Sequence, residues 1–423
     1  MKILIIGGGG REHAIAWKLS KEKGIVKIYC APGNAGISDV AQCIDINDSD
    51  IDKLLVFAKE NKIDLTVVGP EVPLVKGIVD EFEKCGLRIF GPNKECARLE
   101  GSKAFSKDFM VRHNIPTAKY KEYTNIEDAI NEIDTFGYPV VIKADGLAAG
   151  KGVIIPQNRE EAMQTLHEMM SHKKFGEAGN KIVVEEFLKG IETSILAFVD
   201  NNTIVPMVSA KDHKKVYNNE EGPNTGGMGT FSPSEIYTDR VAKEIEKEVL
   251  LKTLEGFKKD GLDYKGILFI GLMITEEGAK VLEYNVRFGD PETQSVLFRL
   301  ETDLNNIIEA ILNNKLNEID IVYKKEESVC VMLTSGGYPD NYEKGKVIEG
   351  LNKLDDDIVV FHSGTKLIDG KLVTNGGRVL GITSSASTVE EAAKKVYENI
   401  ERINFEGMHY RTDIGITLCE ELS

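Results

Sequence analysis

The first hundred residues carry four short apolar runs, "KILIIG", "VKIYCA", "LTVVGP" and "LRIFGP", separated by the amphipathic stretches Arg11–Ser20, Ile51–Asn61 and Leu74–Cys85. Short apolar runs alternating with helical periodicity bury both of their faces when they pair as parallel strands covered by helices, so this region is a wound α/β domain. The rhythm then changes. After a helical stretch from Ser102, "YPVVIKADGLAAGKGVII" and "KIVVEEFLKGIETSILAFVD" read as hairpin-forming strands, and a long helix over Asp239–Asp260 precedes two strands joined at Glu276-Glu277-Gly278. From about Val329, short strands, glycine-rich turns and one late helix near Val389–Ile403 describe a small unit of α+β type. The expected division is an N-terminal parallel α/β domain over 1–101, a central domain over 102–325 with a mobile lid at about 120–190, and a C-terminal α+β domain over 326–423.

With a net charge of −16 the chain has no basic excess to displace phosphate counterions, which argues against sequence-independent nucleic-acid binding. An anionic substrate must therefore be met by local cations. The six cysteines are scattered without CxxC spacing and read as reduced thiols, and no apolar run reaches the length of a membrane span. The expectation is a cytoplasmic protein that engages neither nucleic acid nor membrane.

"ILIIGGGGREHA" is a strand, a glycine turn and a helix start, where free N–H groups and the helix dipole favour an anion. A dinucleotide fits poorly: the two registers of GxGxxG end on Glu12 and His13, and the second strand runs out as Cys30-Ala31-Pro32-Gly33 without a ribose-binding acid. A phosphate of another ligand, with Arg11 close by, is the sharper reading. Tight packing is the alternative, set against the entropic cost of four consecutive glycines. Glu71, in "GPEVP", falls at the same edge and reads equally as an acceptor of sugar hydroxyls or a solvated loop acid.

"IKADGLAAGKG" fails as a Walker A loop, since three residues separate Gly146 from Gly150-Lys151 and Gly152 stands where Ser or Thr is needed. It reads as a flap between two strands that closes over phosphates, with Lys143 on the first strand; a plain hairpin loop would leave that lysine desolvated without a partner. "VVEEFLKGIETS" is a strand broken at Leu188-Lys189-Gly190, whose unpaired backbone groups suit an adenine edge, with Glu192 just beyond for ribose hydroxyls.

In "VLEYNVRFGDPETQ", strand alternation puts Glu283, Asn285 and Arg287 on one face and Leu282, Tyr284 and Val286 in the core. Two readings stand side by side: a carboxylate and an amide carbonyl for Mg²⁺ with an arginine for an adjacent anion, or a solvated sheet face whose ion pair contributes about 0–1 kcal/mol. "GDPETQ" reads as Asp290 at the N-cap, Pro291 at the first helical position and Glu292 on the helix dipole. The polar stretch "SAKDHKKVYNNEEGPNTGGMGTFSP" is a candidate substrate lid, and Arg378 in "TNGGRVLG" reads as a turn residue or an anion ligand.

A lysine on a strand, a glycine flap, a broken strand and a Glu-x-Asn-x-Arg strand, in that order, resemble the ATP-grasp superfamily. The strings "GGGGREHA", "GPEVPLVKG", "KADGLAAGKGV", "NTGGMGTFSP" and "RFGDPETQ", spread nearly end to end, are similar to the phosphoribosylamine-glycine ligase family of purine biosynthesis. The resemblance implies an N-terminal pre-ATP-grasp α/β domain, an ATP-grasp core with a mobile lid, and a small C-terminal α+β domain. It further implies a monomer that uses ATP and Mg²⁺ or Mn²⁺ to join glycine to 5-phosphoribosylamine through glycyl phosphate. By the same resemblance Lys103 and Lys143 hold ATP phosphates, Glu185, Glu186 and Leu188 the adenine edge, Glu192 the ribose, and Glu283 and Asn285 the metal. Arg287 orients the transferring phosphoryl group. Gly8, Gly9, Gly10, Arg11, Glu71 and Arg378 take the ribose phosphate of the amine substrate, and Asp212 the ammonium of glycine. One departure from many ATP-grasp relatives is that the strand "ILFIGLMI" carries no acid, so a second ion would need Glu283 to bridge or ligands from phosphate and water.

Overall fold

A computed structural model describes residues 1–148 and 152–416; the Gly150-Lys151 end of the expected flap lies outside the described residues. Strands β1 (Lys2–Gly7), β2 (Lys27–Pro32), β3 (Gln42–Cys43), β4 (Leu65–Val68) and β5 (Ile89–Phe90) form a parallel sheet in the order β3-β2-β1-β4-β5. Ile3, Leu4, Ile5 and Ile6 are all buried, because both faces of a parallel sheet are covered. The strand order reverses at β1, and the crevice this opens beyond the strand ends is where the helices Gly10–Ser20 and Glu71–Lys76 begin.

The chain next forms β6 (Tyr120–Tyr123), β7 (Val140–Ala144), β8 (Val153–Ile154) and β9 (Ile182–Glu186), an antiparallel sheet in the order β6-β9-β7-β8. This unit has its own core, with Val140, Ile142, Leu166, Met169, Ile182 and Val184 packed together apart from the larger clusters. The strands β10 (Ile191–Val199) and β11 (Ile204–Pro206) follow, then β12 (Lys211–Asp212), β13 (Lys215–Tyr217), β14 (Glu221–Asn224) and β15 (Gly229–Ser232), and then β16 (Gly266–Thr275) and β17 (Gly278–Asn285). The second antiparallel sheet runs β11-β10-β16-β17. The broken strand of the sequence is thus a crossing between two sheets: Glu186 pairs with Val140 in the first, Ile191 with Ile274 in the second. At Gly190 a Cβ would stand 2.2 Å from the Ile274 carbonyl oxygen, so only glycine lets the crossing pass so close to β16.

The last strands are β18 (Glu327–Thr334), β19 (Val359–His362), the hairpin β20 (Thr365–Ile368) and β21 (Lys371–Thr374), and β22 (Arg378–Ala386), with the helix Val389–Ile400 packed on the sheet. That sheet runs β12-β15-β18-β22-β19, and it corrects one expectation. The stretch 209–233 is no free lid: two of its strands belong to the C-terminal sheet, and Val216, Met228 and Phe231 are buried in that core. Its apolar residues are too widely spaced for the periodicity to show in sequence. The N- and C-terminal regions meet at His13, whose Nδ1 accepts the His362 N–H at 2.8 Å. Burial, aided for His13 by the neighbouring imidazole, pushes His13 down to about 3 and His362 to about 4. Among the described residues no helix is long and apolar enough to cross a membrane.

Candidate active site

Two adjoining cavities of about 330 and 280 Å³ lie between the β6–β9 sheet and the β17 edge of the second sheet, and both are lined by Lys143, Glu283, Asn285 and Arg287. The alternation expected for β17 holds only in part. Gly271 pairs with Glu283 while the next residue, Leu272, pairs with Val281, so Leu282 is the extra residue of a bulge. Val281, Tyr284 and Val286 are buried in the core, whereas Leu282, assigned to the core from sequence, lines the cleft beside Glu283. A bulge is invisible to a count of alternating residues because it depends on the partner strand. Glycine at 271 also leaves room for the acid: a Cβ there would lie 3.3 Å from Glu283 Cγ.

Burial works against the charge of Glu283, yet Lys214, Lys143, Lys103 and Arg287 together hold its carboxyl below the usual carboxylate range. Asn285 closes β17, and Arg287 lies just past the strand end with Nη2 3.2 Å from Asn285 Oδ1 and 3.1 Å from Glu100 Oε1, and Nε 3.4 Å from Glu71 Oε2. Despite burial, Glu100 and Glu71 keep this guanidinium firmly charged. Glu100 also accepts the Val286 N–H at 2.8 Å, which ties the segment after β17 to the helix Lys94–Gly101. Among the described residues no group of three or more His, Cys, Asp or Glu side chains could hold a metal ion by itself. Glu283 and Asn285 offer two oxygen donors side by side in the cleft, a donor set that suits a hard divalent cation whose remaining ligands are phosphate oxygens and water.

Lys143 on β7 sits 2.8 Å from Glu185 Oε1 and 3.3 Å from the Leu282 carbonyl oxygen. Lys103, at the start of the helix Lys103–Arg112, donates to the Gly146 carbonyl at 3.0 Å, and burial lowers its pKa against the pull of Glu283. Glu185, expected at the adenine edge, turns its carboxylate away into the cleft floor, where it bridges Lys143 and Lys107. Glu186 accepts the Lys119 N–H at 2.9 Å, and with Leu188 and Glu192 it lines the outer cavity. Glu192 is ion-paired to Lys214. Asp212 lines the same cavity with Oδ1 unpaired and buried; burial, reinforced by the Glu292 carboxylate, raises its pKa well above the usual value.

The glycine loop is placed differently from expectation. Gly8, Gly9 and Gly10 line neither cavity. Gly9 N–H is capped by Glu12 Oε2 at 2.6 Å and Arg11 N–H points to Asp290 Oδ2 at 3.3 Å, so carboxylates of the chain occupy donors a phosphate would use. At Gly8 a Cβ would meet the Gly33 carbonyl oxygen at 2.5 Å, which makes close packing the reason for glycine there. Arg11 does reach the cleft, its Nη1 donating to the Gly69 carbonyl at 2.8 Å. Arg378 reaches it from β22, with Nη1 2.7 Å from both the Gly226 and Asp290 carbonyl oxygens. The expected cap is also corrected: the helix runs Glu292–Arg299 with Pro291 at the cap position, and Asp290 accepts from Gln294 Nε2 at 2.9 Å and pairs with Arg378. Long-range partners from β22 and the first loop outweigh the local capping pattern.

Sequence reasoning missed Lys107, Glu100 and Lys214. Lys107 was discoverable, since it follows Lys103 by four residues on one helix face. Glu100 and Lys214 had no local signal.

An antiparallel sheet with its own core, set across a two-chambered cleft from a second sheet that presents an acid and an amide among lysines, defines an ATP-grasp enzyme. Family models described as the N domain, the ATP-grasp (A) domain and the C domain of phosphoribosylglycinamide synthetase match residues 1–100, 101–293 and 328–417. The phosphoribosylamine-glycine ligase of Caldanaerobacter subterraneus subsp. tengcongensis is 50% identical over 98% of this chain and 99% of its own length, and that of Clostridium acetobutylicum is 49% identical over 98% and 99%. The crystal structure of phosphoribosylamine-glycine ligase from Thermotoga maritima superimposes with a TM-score of 0.84 at 37% identity, covering 98% of this chain and all of the other. The biotin carboxylase of Campylobacter jejuni shares the fold, with a TM-score of 0.76 at 14% identity over 99% and 95%. The chain belongs to the phosphoribosylglycinamide synthetase family.

Proposed function

We infer that this chain is an ATP-dependent ligase of purine biosynthesis that joins glycine to 5-phosphoribosylamine, forming glycinamide ribonucleotide, ADP and phosphate through glycyl phosphate. The observation that carries this reading is the convergence on one cleft of Lys103, Lys143, Glu283, Asn285 and Arg287 in a member of this family.

The adenine edge lies against the strand crossing at Glu186 and Leu188, next to Glu185 on β9, and Glu192 takes the ribose. Lys103 and Lys143 hold the phosphates, and Glu283 with Asn285 holds the metal. Mg²⁺ or Mn²⁺, when bound, neutralises phosphate charge that would otherwise repel a carboxylate nucleophile. Arg287, fixed between Glu71 and Glu100, orients the glycine carboxylate for in-line attack and then the acyl phosphate for displacement by the amine. Asp212 takes the glycine ammonium. Its buried, unpaired oxygen suits a cationic partner, which would restore the ionised carboxylate. Arg11, Glu71 and Arg378 face the amine substrate, with Gly8, Gly9 and Gly10 behind them. The lid sheet excludes water from the acyl phosphate.

The test is ADP release with Mg²⁺-ATP, glycine and freshly generated phosphoribosylamine. Turnover that does not depend on both glycine and the amine refutes the reading.

A further inference from the structure

Lys107 stands in the cleft floor with no part in the mechanism above. It is 2% exposed, donates to Thr117 Oγ1 at 2.7 Å and pairs with Glu185 Oε2 at 2.8 Å. The other oxygen of Glu185 is 2.8 Å from Lys143. Two buried ammonium groups thus flank one buried carboxylate. A Lys143–Glu185 pair alone would be neutral, and the carboxylate that anchors the lysine would cancel the charge that phosphates require. With Lys107 present the trio carries one net positive charge, and Lys143 is both held and uncancelled.

The same array reaches β17 at its bulge. Thr117 Oγ1 donates to the Val281 carbonyl at 2.6 Å, and Lys143 donates to that of Leu282. The two consecutive carbonyls that precede Glu283 are therefore fastened by donors belonging to, or bonded to, the trio.

We propose that Lys107 is a charge-compensating positioning residue, which offsets Glu185 so that Lys143 presents an uncancelled ammonium to a polyphosphate. The inference rests on the nucleotide-binding reading of the cleft, and calorimetric titration with MgADP separates the two: no binding by the wild type sinks that reading, whereas binding unaffected by the variants sinks the role of Lys107. Lys107→Met weakens MgADP by about tenfold or more, while Lys107→Arg, which keeps the charge, stays within about threefold of wild type. The decisive variant is Lys107→Met/Glu185→Gln. It removes the two compensating charges together, leaves Lys143 as the single net charge, and recovers affinity to within about threefold of wild type. A purely structural role gives an additive or larger loss in the double variant and overturns the proposal. Should Lys107→Met fail to fold, Glu185→Gln alone decides: two cations without the carboxylate bind MgADP at least as tightly as wild type, and a tenfold weakening overturns the assignment.

Discussion

Replacing Glu283 by glutamine keeps the volume and shape of the side chain and removes one negative charge from a site faced by Lys214, Lys143, Lys103 and Arg287. The folded-state pKa of Glu283 is lowered, so at neutral pH the native group is an ionised carboxylate and the substitution is a full unit-charge change. Charge placed where a phosphoryl group transfers contributes about 2.7–4 kcal/mol to the transition state, or roughly 10²–10³ in turnover. The same loss weakens metal recruitment, and the Mg²⁺ concentration for half-activation rises by at least about tenfold. Metal-free ADP responds in the opposite direction: the four cations remain while the repelling carboxylate is gone, so its affinity increases. ADP release measured against Mg²⁺ concentration, together with calorimetry of ADP in chelator, reads both arms. Turnover within about threefold of wild type with an unshifted Mg²⁺ curve would refute the assignment of Glu283, and weaker metal-free ADP binding would refute the electrostatic reasoning.

Asp212→Asn raises the KM for glycine by about 10²-fold and leaves the KM for ATP near its wild-type value, because only the ammonium contact is lost; initial rates with each substrate varied check this. Glu100→Gln loosens Arg287 without touching the nucleotide wall, lowering kcat by about tenfold with little change in MgADP affinity. Burial together with Lys143 lowers Lys107 to about 8 against the pull of Glu185 and Glu283, so MgADP affinity in the wild type falls as pH rises from 7 to 9, and Lys107→Arg abolishes that fall. His13 is held at about 3 against 6.5 unfolded, so between those values the unfolded chain binds more protons and stability is lost as pH drops from 6.5, by up to about 1.4 kcal/mol per pH unit. Thermal melts from pH 7 to 4 test this, and His13→Asn flattens the slope.

Much of the architecture was readable from local pattern. Parallel strands with both faces covered announce themselves as unbroken apolar runs, and β1, β2 and β4 lie where those runs stand. The hairpin β16–β17 follows from its glycine turn, and Arg378 does open β22. What local pattern misread depends on partners distant in sequence. Leu282 alternates correctly on paper and is displaced by a bulge set by β16. Asp290 precedes a helix like a cap, yet is recruited by Arg11 and Arg378. The glycine loop looked like an anion site until Glu12, two residues past Gly10, took the Gly9 N–H and Asp290 that of Arg11.

The sequence by itself determined the fold class and brought out Lys143, Glu283, Asn285 and Arg287 among the polar groups that line the cleft. Apolar periodicity reports burial directly, and Glu283, Asn285 and Arg287 still line one cleft because the bulge falls before them. Only the tertiary structure decided how those charges balance. Glu185 became the carboxylate between two lysines, Glu100 the second anchor of Arg287, and 209–233 part of the C-terminal sheet. Charge compensation in a buried site is settled by distances of about 3 Å between residues far apart in the chain, and no one-dimensional pattern encodes such distances.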